Sequence, residues 1–211
     1  MRKDRPVSNG QKASLTKGEQ TRHRIVAAAA PIFNQHGFEG SSLNDLMEAT
    51  GLRKGGIYRH FSSKEELAAE AFDYTWHAVW KARMHNVDEK PTGIEKLKQL
   101  IANFVSIRSP VAGGCPVLNT AVDTDDGNPI LRARAADALK FWLNRLQRIV
   151  ARAAQDGELK ATVDPVNVAT FIVASLEGAL MISRLQGSDK ALRRIEQQLY
   201  RYLDADVAIS R

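Results

Sequence analysis

The stretch SLNDLMEATGLRKGGIYRHF, residues 42 to 61, decides how this chain is read. Leu43, Leu46 and Met47 follow a helical period behind Ser42, a residue type suited to the N-cap; Gly51 interrupts that period, and Leu52 and Ile57 resume it. Counted from Gly51, apolar residues fall five before, one after and six after. That is the spacing of a helix-turn-helix whose two short helices share a miniature core. Gly55 and Gly56 then stand inside the second helix, where each costs about 1 kcal/mol relative to alanine. In a helix that enters the DNA major groove they have a use. The leading residues of such a helix lie close to phosphates, where a missing Cβ permits near approach and bare N–H groups favour anions.

Arg53, Lys54, Tyr58, Arg59, His60 and Lys64 surround the glycines with cations and hydroxyls of the kind that hold a sugar-phosphate backbone or read guanine edges. The competing reading is a solvated basic helix in a small bundle, with His60 as a core histidine. Turn glycine, apolar spacing and cations agree with one another, and together they point to double-stranded DNA.

Upstream, Ile25, Ala29, Ile32 and Phe33 mark one face of a helix running from about Thr21 to Gly37, with a bend expected at Pro31, which lacks an N–H and crowds the carbonyl of Ala27. Residues 1–18 are polar, basic and too poor in apolar side chains to repay ordering, and read as a flexible arm. Downstream, SSKEEL offers Ser63 with Glu66, or Ser62 with Glu65, as a capping box opening a helix to about Arg83. Further helical periods follow through Ile94 to Val105, from Cys115, from Leu131 to Ile149, from Val168 to Leu185 behind Asp164 and Pro165, and from Ser188 to Tyr202. No sustained period of two occurs. The expected fold is all-α with roughly nine helices: the arm, a three-helix DNA-binding domain over residues 19–67, and a larger helical domain over residues 68–206.

A chain of 211 residues with 44% hydrophobic content can bury a sizeable core. Its net charge of +6 suits a polyanionic partner, and the excess is concentrated early: residues 1–67 hold 11 Lys and Arg against 7 Asp and Glu, residues 68–211 hold 19 against 17. With Cys115 as the only cysteine there is no internal disulfide and no cysteine metal cluster. No apolar run approaches the ~18 residues of a membrane span and no signal peptide is apparent, so a cytoplasmic location without membrane partners is expected.

Residues 21 to 67, TRHRIVAAAAPIFNQHGFEGSSLNDLMEATGLRKGGIYRHFSSKEEL, resemble the DNA-binding domain of the TetR/AcrR family of transcriptional regulators. Helix one, the HGF link, the turn glycine, the KGGIYRHF segment and SKEEL carry the likeness. It implies that Tyr58 and Lys64 contact phosphates, that Ser42 caps the second helix near the backbone, and that Asn44, Arg53, Lys54, Gly56 and Arg59 lie where members contact bases or adjacent phosphates. His60 falls where either contact is made. Three positions depart from the family pattern: Gly56 is often threonine, Met47 is usually alanine, and Pro31 sits inside helix one.

The resemblance also implies a homodimer on a palindromic operator and a small-molecule effector bound in the larger domain. A dimer is expected on independent grounds, because one such unit reads too few base pairs to find a single site. VATFIVASLEGALMISRL, with small residues Ala174, Ser175, Gly178 and Ala179, is the candidate dimer helix, or else one central to a single core. Among bulky residues of the larger domain, Tyr74, Phe104, Leu118 and Trp142 are candidates for an effector pocket, though each also fits ordinary core packing. Pro116 places Cys115 at a helix N-terminus, where the dipole would lower its thiol pKa; the alternatives are an electrophile or redox sensor and a plain buried hydrophobe.

Enzymatic rivals find little support. No pair of histidines among His23, His36, His60, His77 and His85 has metalloprotease spacing, and neither a phosphate loop nor a serine elbow appears. No metal or cofactor is expected. A second rival is an architectural protein that binds any duplex.

Overall fold

The computed structural model describes residues 16–124 and 127–209. Nine α-helices follow one another among them: α1 Lys17–Gly40, α2 Leu43–Thr50, α3 Lys54–Tyr58, α4 Lys64–Arg83, α5 Gly93–Ser106, α6 Pro116–Asp123, α7 Pro129–Gln155, α8 Pro165–Gln186 and α9 Lys190–Tyr202. A π-helical turn, Leu203–Val207, extends α9, and the described residues contain no strand beyond one isolated bridge, Leu159 to Ala208.

Most boundaries follow from their capping residues. Thr16 caps α1 with a reciprocal box to Glu19, so this helix opens at Lys17 and takes in residues that the sequence reading assigned to the arm; residues 1–15, the rest of that arm, lie outside the described residues. Dihedrals stay helical through Pro31. The expected bend is absent, and the break comes at Gly37, where the sequence ends the helix; its φ of 73° only glycine adopts without strain, and the chain turns there into the HGF link. Ser42 and Asp45 form a second reciprocal box, and Gly51, at φ 67°, ends α2. Ser63 caps α4 by accepting from the Glu66 amide, but the Glu66 carboxylate reaches Ser62, so the two serines share the box. Asp164 and Pro165 open α8 as their types suggest, whereas α9 takes Asp189 rather than Ser188 as its N-cap.

Two cores result. Ile25, Val26, Ala29, Leu46, Ile57, Phe61 and Leu67 bury one another in the small domain, with Leu52 and Met47 against them. Each fully buried aliphatic chain there contributes about 1.5–3 kcal/mol. A larger core is built from α4, α5 and α7–α9 around Leu100, Ile101, Leu146, Ile172 and Leu176. The 20-residue α4 is about 30 Å long and belongs to both: Leu67 packs in the first and Trp76 in the second. Helix α8 is, by length and composition, apolar enough to cross a bilayer, contrary to the reading that no run comes near; in the fold it packs against α7 and α9.

A polar junction joins the domains. The Asp123 carboxylate at the end of α6 accepts from the Phe38 amide at 2.7 Å, and Lys64 Nζ donates to the Phe38 carbonyl at 2.5 Å while lying 4.4 Å from the Phe38 ring centroid. Asn34 of α1 donates to the Ala112 carbonyl at 2.8 Å, and Asn119 of α6 donates to the Asn34 and Gly113 carbonyls at 2.9 and 2.8 Å. Arg184 of α8 donates to the Gly113 carbonyl as well. The link between the small domain and α6 is thus fastened by hydrogen bonds, not by apolar contact alone.

Candidate nucleic-acid interface

Helix α3 is short and presents one apolar side chain inward, Ile57, while Arg53, Lys54, Gly55, Tyr58 and Arg59 face solvent. Asn44, on the first turn of α2, is exposed beside them in sequence order, and Ser42 is exposed at its cap. The Ser42 hydroxyl donates to the Asp45 carboxylate at 2.7 Å and accepts from the Asp45 amide at 3.1 Å. The hydroxyl's bond to the carboxylate first, and that of the Ser42 amide at 2.8 Å second, hold the Asp45 carboxyl below its ordinary pKa.

The two glycines have no internal reason to be glycine. Neither has a positive φ. A Cβ built on Gly55 meets no atom within 4 Å, and one on Gly56 reaches Leu52 Cβ at 3.4 Å, an ordinary van der Waals contact. Gly37 is the opposite case, since a Cβ there would lie 2.3 Å from the Asp123 carboxylate. Alanine at position 55 would therefore fit the folded chain and favour its helix. The bulk left out at α3 matters only to something that approaches from outside.

The charges around this face are held in different ways. Lys54 Nζ lies 6.0 Å from the Tyr58 ring centroid, a loose cation–π approach that leaves the ammonium in water. Arg53 caps α3 by position alone, without a side-chain hydrogen bond to the helix. His60 and Lys64 are half-buried rather than free. One of the three Lys64 donors is taken by the Phe38 carbonyl, which leaves two for an anion.

Arg22, which the sequence reading passed over, ties the start of α1 to the end of α3. Its guanidinium donates to the His60 carbonyl and to the carboxylates of Glu66, at 2.5 Å, and Glu70, and its Cζ stands 4.1 Å from the Phe61 ring centroid. Hydrogen bonds from the Ser62 hydroxyl first, then Arg22 and the Ser62 amide, bring the Glu66 carboxyl down to about 2. Asp123 is another residue passed over. Nothing local flags either one, because their partners lie 38 to 85 positions away.

In the larger domain the four pocket candidates separate. Phe104 and Trp142 stack at 5.9 Å between centroids, and Leu118 packs against the same core. Tyr74 does not join them: it packs edge-on against His23 of α1 and lines an open groove between α1 and α4. Cys115 is the N-cap of α6 as expected, but its thiol is not activated. It is 2% exposed, and burial, reinforced by the neighbouring Glu177 carboxyl, pushes its pKa well up. Desolvation outweighs the helix dipole here.

A trimmed, cation-rimmed second helix held on a buried miniature core, followed by a larger all-helical domain, defines a helix-turn-helix transcriptional regulator. The chain belongs to the TetR family of bacterial regulatory proteins. That family's DNA-binding model matches residues 25–71, and the model for the tetracyclin repressor-like C-terminal domain matches residues 93–199. A TetR transcriptional regulator from Chloroflexus aurantiacus J-10-FL superposes with a TM-score of 0.88 at 38% identity, over 92% of this chain and 99% of that one. The HTH-type transcriptional repressor DhaR of Mycobacterium sp. strain GP1 is 21% identical over 81% of this chain and 86% of its own length. The fold is also that of the TetR family regulator CifR, solved with 26-bp double-strand operator DNA, at a TM-score of 0.75 and 22% identity over 94% of this chain and 98% of that one.

Proposed function

We infer that the chain represses transcription by binding a palindromic operator as a homodimer, and that a small-molecule effector bound in the larger domain releases it. The observation that carries the DNA contact is Gly55, a glycine inside a helix with open space where its side chain would be. Around it, Arg53, Lys54 and Arg59 supply charge, Asn44 and Lys54 face base edges, and Tyr58, Lys64 and His60 hold the sugar-phosphate backbone from the flank. Ser42, already engaged in its capping box, positions α2 against that backbone. The DNA-bound CifR complex is a precedent within the same fold. A regulator of this kind works where the DNA is, in the cytoplasm.

A dimer face is available on α8. Phe171, Ala174, Gly178, Met181, Ile182 and Leu185 recur at helical spacing on one side, and Leu185 is 82% exposed. Ala179, one of the small residues expected there, is buried within the chain instead. A second copy docking on this stripe sets two recognition segments on one side of the pair, as a palindrome requires.

Release needs an effector that binds one arrangement of the domains better than the other. The hydrogen bond that the Phe38 amide donates to Asp123, and the one that Asn119 donates to the Asn34 carbonyl, offer the route, because a shift of α6 against α1 cannot leave them unchanged. Selection of bound sequences from random DNA tests the reading. A palindrome with half-sites one helical turn, about 34–36 Å, or a multiple apart is expected; equal retention of all duplexes would favour an architectural protein and overturn it.

A further inference from the structure

Among the described residues, three buried side-chain polar atoms lack a hydrogen-bond partner, and all belong to the larger domain: Nε1 of Trp142 and both carboxylate oxygens of Glu177. Leaving such atoms unmet is costly, more so when charged, so native chains keep few of them. Glu177 projects from α8 toward Cys115 of α6 and Arg83 at the end of α4, and burial pushes its carboxyl pKa up. The Cys115 thiol is the side-chain donor that faces it, and a weak one that leaves the carboxylate short of a full partner.

Arg83 does not supply the missing bond. It is 6% exposed, and its guanidinium donates to the carbonyls of Phe104, at 2.7 Å, and Asn103, at 3.3 Å, with Cζ 3.9 Å from the Phe104 ring centroid. Carbonyls at the C-terminal end of α5 and an aromatic face thus hold its charge. Phe104 in turn stacks on Trp142, Trp142 lies 6.4 Å from Trp76, and Trp76 lies 5.4 Å from Trp80. The three tryptophans of the chain are all in this row. Trp76 and Trp80 also line a solvent-open groove of about 250 Å³ between α4 and α7, with Phe141 on its far side.

We propose that Glu177 and Trp142 Nε1 are the polar anchors of the effector site, and that the effector is an uncharged aromatic compound whose hydroxyl donates to Glu177 and whose second oxygen accepts from Trp142. This rests on the ligand-responsive reading above and names the ligand class for it. Two vacant acceptors and one vacant donor call for the complementary groups, and the ring row calls for a flat apolar body. Charge selects neutrality. Arg83 and Glu177 already sum to zero, so a cationic ligand would leave one buried positive charge in excess, and an anionic ligand would meet the Glu177 carboxylate. The α4–α7 groove is the approach, with Trp76 as the residue common to groove and core.

The test follows tryptophan emission, which arises only from this row. Full-length protein is titrated, without DNA, with 4-hydroxyacetophenone, and in parallel with acetophenone, benzylammonium and 4-hydroxybenzoate. Saturable quenching by 4-hydroxyacetophenone is expected, with affinity lower by about 10-fold or more for each of the other three and for Glu177→Gln, which keeps the shape of the side chain. Trp142→Phe, read through the remaining tryptophans, should weaken 4-hydroxyacetophenone similarly, and decides the matter should Glu177→Gln fail to fold. No saturation by about 10 mM, stronger binding of benzylammonium or 4-hydroxybenzoate, or unchanged affinity in folded Glu177→Gln overturns the proposal. Operator binding is assayed separately on ligand-free protein. Its failure would strike the DNA-regulator reading and leave the titration standing, and the reverse result would strike only the ligand class.

Discussion

Around α3 the chain leaves out bulk that its own fold would accept, whereas around α8 it buries hydrogen-bonding atoms that its own fold does not meet. Gly55 has open space where a methyl would go, and Glu177 has two buried oxygens with no donor. Neither choice maximises stability, and both make sense once a partner outside the chain is supplied. The difference lies in the partner. On the readings proposed above, a large charged duplex met at the surface calls for subtraction and exposed cations, and an enclosed small molecule calls for unfilled hydrogen-bonding groups.

The sharpest way to break the comparison is to damage the support under α3 rather than its surface. Ile57→Ala removes the one inward anchor of that helix, which is 1% exposed, and should cost about 2–4 kcal/mol in urea unfolding. A loss below about 1 kcal/mol would mean that α3 is not held by the miniature core.

Next come substitutions on the surface itself. Lys54→Ala and Asn44→Ala should relax preference at particular base pairs by about 1–3 kcal/mol, while Tyr58→Phe should weaken all sequences alike, as read by titration of a selected operator and its single-base variants. Lys64→Ala should also lower the slope of log affinity against log salt by about one. Uniform losses from all four would remove the distinction between reading and positioning residues.

Smaller again is the effect of acid on the Arg22 to Glu66 fastening. Glu66 has its pKa lowered from 4.5 to about 2 in the folded chain, so its contribution is fully present above about pH 4.5 and is lost as pH falls through about 2. Unfolding followed across that window should show Glu66→Gln losing less stability toward low pH than the parent chain does. Parallel profiles would mean that the Ser62 and Arg22 bonds do not hold the carboxylate in solution.

The two regions also differ in how far the amino-acid order discloses them. All of the α3 surface lies within about twenty consecutive residues, so period, turn glycine and charge meet in one window; α2 opens behind Ser42 and closes at Gly51 where the pattern puts them, and α3 opens at Lys54, two residues past Leu52. The site proposed in the larger domain draws on α4, α6, α7 and α8, and no window contains Arg83, Cys115, Trp142 and Glu177 together. Glu177 reads in sequence as one polar residue in an apolar helix. Tyr74 and Cys115 mislead for the same reason: what decides their behaviour is a neighbour from another helix, His23 for one and burial beside Glu177 for the other. In α1 the break at Gly37 falls where the sequence ends the helix, while the bend expected at Pro31 is absent.

One substitution tests most directly the claim that glycine stands at position 55 for the benefit of DNA. Gly55→Ala should raise the stability of the free protein, by about 0.5–1 kcal/mol in urea unfolding, while weakening binding to the selected operator by about 10-fold or more in the same buffer. An alanine variant that binds the operator as tightly as the parent, or one that is itself destabilised, would contradict it.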